Sequence, residues 1–232
     1  MRKAFMMLAA VGTLAFAGAA HAEDAESGGW SLSGEIGVVS DYQYRGYSLS
    51  GSDWALQGGL TVSAPSGFYA TVWSSKIEEY GIGSDGDGAK FEVDLSFGRT
   101  FSAGGLDWDA SYQYYGYPDG SNVAYSEFLL SASRTTGAFT ATVGVEYAPS
   151  QDNLGNEDNV YLYLGGDFAP ESWPVSLNAQ IGHEDGAFAD GKLDWQVGLA
   201  KSVGPVSLSL LYTDSDGPGA EGGVVGGITL AF

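Results

Sequence analysis

The chain has no cysteine, which excludes a disulfide scaffold, thiol chemistry and a zinc–thiolate centre. Basic residues are scarce: Lys and Arg total 9 against 29 Asp and Glu, for a formal charge of −20. So acidic a chain cannot grip phosphates, so no nucleic-acid partner is expected. Long apolar runs are missing as well. The one candidate, Ala4 to Ala17, falls short of the roughly 18 residues that a membrane-spanning helix needs. Histidine is nearly absent, and outside the N-terminal stretch only His183 remains, beside Glu184 and Asp185. With no Gly-x-Ser-x-Gly elbow to partner it, a nucleophile activated by a base finds no support, and no enzymatic activity is expected.

At the N-terminus, Arg2 and Lys3 precede the apolar stretch, and Ala20-His21-Ala22 follows as a small-x-small site. This is the pattern of a secretory signal peptide over 1–22, cleaved after Ala22. Its removal leaves 7 basic against 29 acidic residues, a net charge of −22. High acidity can accompany disorder, but disordered chains are poor in aromatics and these make up 13% here. A short periplasmic segment is expected over 23–29 and a folded body over 30–232.

That body repeats one pattern: segments of about ten residues alternate apolar with small or polar positions and are separated by turn residues, with no competing helical period. Phe91, Val93, Leu95 and Phe97 fall on one strand face, and Glu92, Asp94 and Ser96 on the other. Trp54 to Ala64, Phe139 to Tyr147, Val175 to Ile181, Leu193 to Leu199 and Val206 to Tyr212 repeat it. Strands are expected near 30–45, 53–64, 67–76, 90–101, 105–116, 122–134, 137–148, 158–168, 174–183, 192–202, 205–213 and 222–232. This predicts an all-β, transmembrane antiparallel barrel of about twelve strands. Short connections (64–67, 102–105, 134–137, 169–174, 202–205) alternate with longer ones (46–53, 77–89, 117–122, 148–157, 184–192, 214–221). The longer windows hold fourteen acids and one basic residue, Lys192; the short ones hold one acid, Glu171. Short periplasmic turns, longer outside loops and both termini on the periplasmic side are the arrangement of Gram-negative outer-membrane barrels.

Ile228, Leu230 and Phe232 share a face of the last strand, and a terminal aromatic there is what such barrels present to their insertion machinery. Trp30, Trp54, Trp108, Tyr147, Phe168 and Trp195 near strand ends suit interfacial girdles against outer-membrane lipid. A soluble barrel is the competing reading, and the greasy outer faces all round stand against it.

Ser40-Asp41-Tyr42-Gln43-Tyr44-Arg45-Gly46-Tyr47-Ser48 resembles the S-D-Y-x-F-R-G-x-S opening of the TorF-type porin family. Ala55-Leu56-Gln57-Gly58-Gly59, Ser66-Gly67-Phe68-Tyr69-Ala70 with Trp73, Glu92-x-Asp94, and Tyr161-Leu162-Tyr163-Leu164-Gly165 resemble its successive blocks in order. Tyr44 stands where Phe is common and Tyr47 where a small apolar residue is common. The resemblance covers most of the chain after residue 22 and implies a porin-like barrel, but no particular solute.

Alternation assigns the lumen-lining side chains: Glu35, Asp41, Gln43 and Arg45 on strand one, Glu92 and Asp94 on strand four, Asp107 and Asp109 on strand five, then Glu127, Glu146 and Asp194. A charge facing lipid at mid-depth is costly, so these must point inward if the barrel forms. Arg45 is the one basic member and is expected to pair with a carboxylate without neutralising the rest. An acidic lining favours cations, giving a passive pore for small solutes or cations. The alternative is a structural or surface-interaction barrel whose polar lumen is simply filled, since about twelve strands lie between filled and open barrels. Asp107 and Asp109 could serve acid–base chemistry, but i and i+2 on one strand face is equally what a polar lining needs. Asp85-Gly86-Asp87-Gly88 offers oxygen ligands on a flexible loop yet lacks the ligand spacing and closing Glu of an EF-hand, so no metal or cofactor is expected.

Overall fold

The computed structural model describes residues 29–82 and 88–232. The expected signal peptide, nearly all of segment 23–29, and Asp85 to Asp87 lie outside the described residues. The chain begins its sheet with β1 (Ser31–Val39), then makes a separate two-stranded hairpin from β2 (Gln43–Tyr44) and β3 (Tyr47–Ser48). Eleven strands follow: β4 (Ala55–Ser63), β5 (Phe68–Tyr80), β6 (Ala89–Ala103), β7 (Leu106–Gly116), β8 (Tyr125–Thr136), β9 (Phe139–Ala148), β10 (Asn159–Phe168), β11 (Ser176–Gly186), β12 (Lys192–Val203), β13 (Val206–Ser215) and β14 (Gly223–Ala231). Together with β1 they close a twelve-stranded barrel in which every strand pairs antiparallel with its chain neighbour and β14 returns to β1. The seam is pinned by Gly34 N donating to Phe232 O at 2.7 Å and Phe232 N donating to Gly34 O at 2.9 Å.

The alternation seen in the sequence decides which way each side chain faces. On β6, Phe91 and Phe97 are 55% and 60% exposed while Glu92 and Asp94 are each 1% exposed. The same division runs through β4, where Leu56, Leu60 and Val62 face out and Gln57, Thr61 and Ser63 are buried. An outer surface of Leu, Ile, Val, Phe, Trp and Tyr around a polar interior suits lipid and not water, so this is a transmembrane barrel. The connections at 64–67, 104–105, 137–138, 169–175 and 204–205 gather at one end, all but 169–175 of four residues or fewer. Those at 40–54, 81–88, 117–124, 149–158, 187–191 and 216–222 gather at the other, and each has five residues or more. Gly104 and Gly105, at φ +64° and +78°, make the mirror-image turn whose twist matches an antiparallel pair.

Two expectations about strand extent need correction. The first strand, expected over 30–45, ends at Val39, so Asp41, Gln43 and Arg45 are not on the barrel wall. Ser40 N donates to Gly226 O at 2.8 Å and Gly226 N donates back to Ser40 Oγ at 3.0 Å, after which the chain leaves the sheet. Asp41 then gathers Ser48 Oγ at 2.6 Å, Ser50 Oγ at 2.9 Å and Gln43 Nε2 at 2.5 Å, closing a compact loop on itself. Arg45 and Gly46, with φ of +47° and +82°, form the two-residue turn of the β2–β3 hairpin. The second correction is at β11, which runs on to Gly186, so Glu184 belongs to the wall and not to a loop.

Candidate functional site

The hairpin at 40–54 folds inward and crosses the lumen near the long-connection end. One side of it is anchored by a small apolar core inside the barrel: Tyr42, Ala55, Trp73 and Ile77 are buried together, with Leu49 and Tyr117 packed against them. Tyr42 meets Trp73 edge to face at 5.6 Å between ring centroids. Leu49 O also accepts from Glu78 N at 2.7 Å, fastening the loop to the extended end of β5.

The other side ends in Arg45. Its Nη1 donates to Glu184 Oε1 at 2.5 Å, and its Nη2 donates to Glu127 Oε2 at 2.9 Å and to Glu146 Oε2. The central carbon of the guanidinium lies over two aromatic rings, 4.7 Å from the Tyr44 centroid and 4.4 Å from the Tyr161 centroid. These glutamates sit on β8, β9 and β11, and β9 lies six strands from β1 in either direction around the barrel. Arg45 therefore reaches the wall opposite the seam from which its hairpin departs. Lys192 completes the latch, donating to Arg45 O at 2.6 Å and pairing with Glu184 Oε2 at 2.7 Å. Tyr115 Oη donates to Glu127 Oε2 at 2.9 Å and Asn159 Nδ2 to Glu184 Oε1 at 3.1 Å, so most carboxylate oxygens are satisfied. The side chains of Arg45, Glu127 and Glu184 are only 4%, 0% and 4% exposed. In such a site the pairing offsets a large desolvation cost, and removing one partner strands the others.

A second acidic group lies on β6. Gln113 Nε2 donates to Asp94 Oδ2 at 3.1 Å and takes a hydrogen bond from Ser96 Oγ at 2.6 Å. Glu92 Oε2, Asp94 Oδ1 and the Tyr42 hydroxyl are buried without a hydrogen-bond partner. In the connection beyond β7, burial and the nearby Glu92 and Asp94 hold the Tyr117 phenol well above its ordinary pKa. Around the hairpin, six buried or nearly buried carboxylates (Glu92, Asp94, Glu127, Glu146, Glu184, Asp194) face two cations, Arg45 and Lys192. On the rim outside, Asp53 pairs with Lys76 at 2.7 Å, and that hydrogen bond holds its carboxyl below the usual range.

The remaining sequence-derived residues are spread along the inner wall. Asp194 accepts from Tyr161 Oη at 2.9 Å and stands 3.9 Å from Lys192. Asp109 accepts from Tyr69 Oη at 2.9 Å. Glu35 is half-buried on β1, and Asp107 is exposed near the short-turn mouth, where Ser102 Oγ donates to it at 2.6 Å. Asp41 serves the hairpin and not the wall. His183, next to Glu184 in the chain, is exposed on the opposite, outer face of β11. Glu184, Asn159, Tyr115 and Tyr161 were missed, although Glu184 shares the strand parity of Gly182 and could have been found by extending β11.

Toward the short-turn end the inner wall carries short hydroxyl side chains, paired across strands as Thr61 with Thr71 at 2.8 Å, Thr135 with Thr140 at 2.9 Å and Ser202 with Ser207 at 3.0 Å. Tyrosines lie flat over inner-face glycines of a neighbouring strand. A Cβ on Gly98 would stand 2.5 Å from Tyr69, one on Gly144 2.3 Å from Tyr163, and one on Gly182 2.0 Å from the Tyr161 hydroxyl. Glycine at these positions lets the rings lie against the wall.

Closed barrel, apolar exterior, polar wall and inward hairpin define a transmembrane β-barrel protein. The chain belongs to the family described as "Bacterial protein of unknown function (Gcw_chp)", which matches residues 22–226. Among solved structures it is similar to the KdgM porin, with a TM-score of 0.60 at 6% identity over 86% of this chain and 98% of that one. The structure titled "KdgM porin in complex with disordered oligogalacturonate" gives a TM-score of 0.57 at 5% identity, covering 87% and 97%. The NanC porin gives 0.52 at 11% identity, covering 87% and 98%. At such identities the likeness is one of fold. No curated protein matches the chain.

Proposed function

We propose that this protein is an outer-membrane channel for passive diffusion of small solutes, with a preference for cations. The observation that carries the reading is the largely polar inner wall inside a closed apolar belt, the lining that a wet path through a bilayer requires. The excess of carboxylates over cations along that wall supports the cation preference. The resemblance of Ser40 to Ser48 to the opening of TorF-type porins accords with it, as does the porin-like fold. Phe232, at the closing seam, is suited to recognition by barrel-insertion machinery. The 40–54 hairpin favours a second reading, in which the lumen is closed and the barrel is structural. Single-channel recording of the refolded protein in a planar bilayer under a salt gradient decides between them. Discrete steps with a cation-selective reversal potential are expected. Silence from a correctly folded barrel, persisting when 42–52 is replaced by a short Gly-Ser linker, would establish the closed reading.

A further inference from the structure

We infer that the cage holding Arg45 is a recognition site for guanidinium-bearing solutes, with Arg45 as its resident occupant, displaced when such a solute enters from the long-connection side. This rests on the channel reading and names the solute class it would admit. Three carboxylates from three strands converge on one planar cation, whose central carbon lies over the rings of both Tyr44 and Tyr161. Planar charge, forked donors and aromatic stacking are the features that distinguish a guanidinium from an ammonium or a metal ion. All three glutamates and Tyr161 belong to the wall, whereas the guanidinium and the Tyr44 face arrive with the hairpin. The cage walls are therefore in place without the loop.

Arg45 itself is an imperfect occupant. Its Nε is buried and has no acceptor, although the side chain is 4% exposed. A free alkylguanidinium presents the same donors but is not tethered to a turn, so it can rotate to aim all of them at acceptors. The hairpin strands pair with each other and with no barrel strand, so it can leave as a unit once the Tyr42 core and the Leu49–Glu78 hydrogen bond release it. Its departure would uncover the lumen, and the solute that triggered it would be the solute recognised. Selection then works by mass action: only a solute that binds the cage better than it binds elsewhere shifts the hairpin outward.

The test uses methylguanidinium chloride, with tetramethylammonium chloride at equal ionic strength as control, on the refolded full-length mature barrel. In Arg45→Ala the thermal unfolding midpoint should fall by several degrees and be restored by millimolar methylguanidinium but not by the control. Arg45→Met, which keeps part of the stem, serves if the alanine variant refolds poorly. Adding Glu146→Gln should weaken the rescue roughly tenfold. In bilayers, methylguanidinium on the long-connection side should raise the open fraction of the unsubstituted protein about tenfold. Equal rescue by both salts or rescue by neither overturns the inference, as does an open fraction unmoved by methylguanidinium in a protein that does conduct. Specific rescue in a protein that never conducts would sink the channel reading while leaving the cage intact, and conduction without rescue would do the reverse.

Discussion

The two halves of this lumen are built from the same twelve strands, yet they differ in what fills them. Near the long connections the largest fully buried side chains of the described residues, among them Tyr42, Glu92, Gln113, Tyr115, Glu127 and Asn159, pack around an inserted hairpin. Near the short turns the wall offers Ser and Thr pairs, flattened tyrosines and a solvent-exposed Asp107. The sheet supplies the closed wall, and one connection fills the lumen at the long-connection end with a packed interior. Wall and closure thus have different origins: the first depends on strand periodicity, the second on a hairpin seated on an apolar core and latched across the lumen by Arg45.

Four substitutions would break or sharpen that contrast. The largest effect belongs to Arg45→Ala, which leaves three glutamates without their shared cation. Removing one member of a buried pair of this kind costs about 3–5 kcal/mol, to be read from urea-dependent unfolding in lipid. A loss below about 1 kcal/mol would mean the hairpin is not latched. Next is Gly182→Ala, whose Cβ would stand 2.0 Å from the Tyr161 hydroxyl. Displacing that ring should cost about 1–3 kcal/mol and loosen the face covering Arg45. Glu92→Gln works in the opposite direction. Because Glu92 and Asp94 are buried with unpaired oxygens, neutralising one should stabilise the fold by about 1 kcal/mol while reducing cation selectivity; destabilisation would instead reveal a bound cation. Asp107→Asn, in the open half, should change stability by no more than about 0.5 kcal/mol, and a larger loss would show that this mouth is packed too.

The barrel was legible in the sequence because a strand with one wall to lipid and one to water must alternate with period two, and Phe91 to Phe97 does so without exception. The strand count followed from the turn residues. The hairpin was not legible for the same reason. Asp41, Gln43 and Arg45 continue the alternation beyond Val39, so they read as three more inward positions of a strand. What takes the chain off the wall is cooperative: Asp41 gathering three donors, and two successive positive-φ residues at Arg45 and Gly46. Arg45, Glu127 and Glu146 could be placed facing inward from parity, but their convergence on one point depends on strand stagger and hairpin reach, which periodicity does not encode. Glu184 was hidden by a strand end set three residues too early.

The latch also says something about the order of assembly. Arg45 is separated from Glu127, Glu146 and Glu184 by 82, 101 and 139 residues. Contacts of such separation carry the greatest loop-closure cost and form late. The guanidinium belongs to the first tenth of the folded body, but its partners exist only once strands β8 to β11 have taken their places. A chain that stalled or misregistered anywhere between them would leave Arg45 charged, unpaired and unable to settle. The closing of the hairpin is therefore a checkpoint: it reports, at the long-connection end, that the far wall of the barrel is complete.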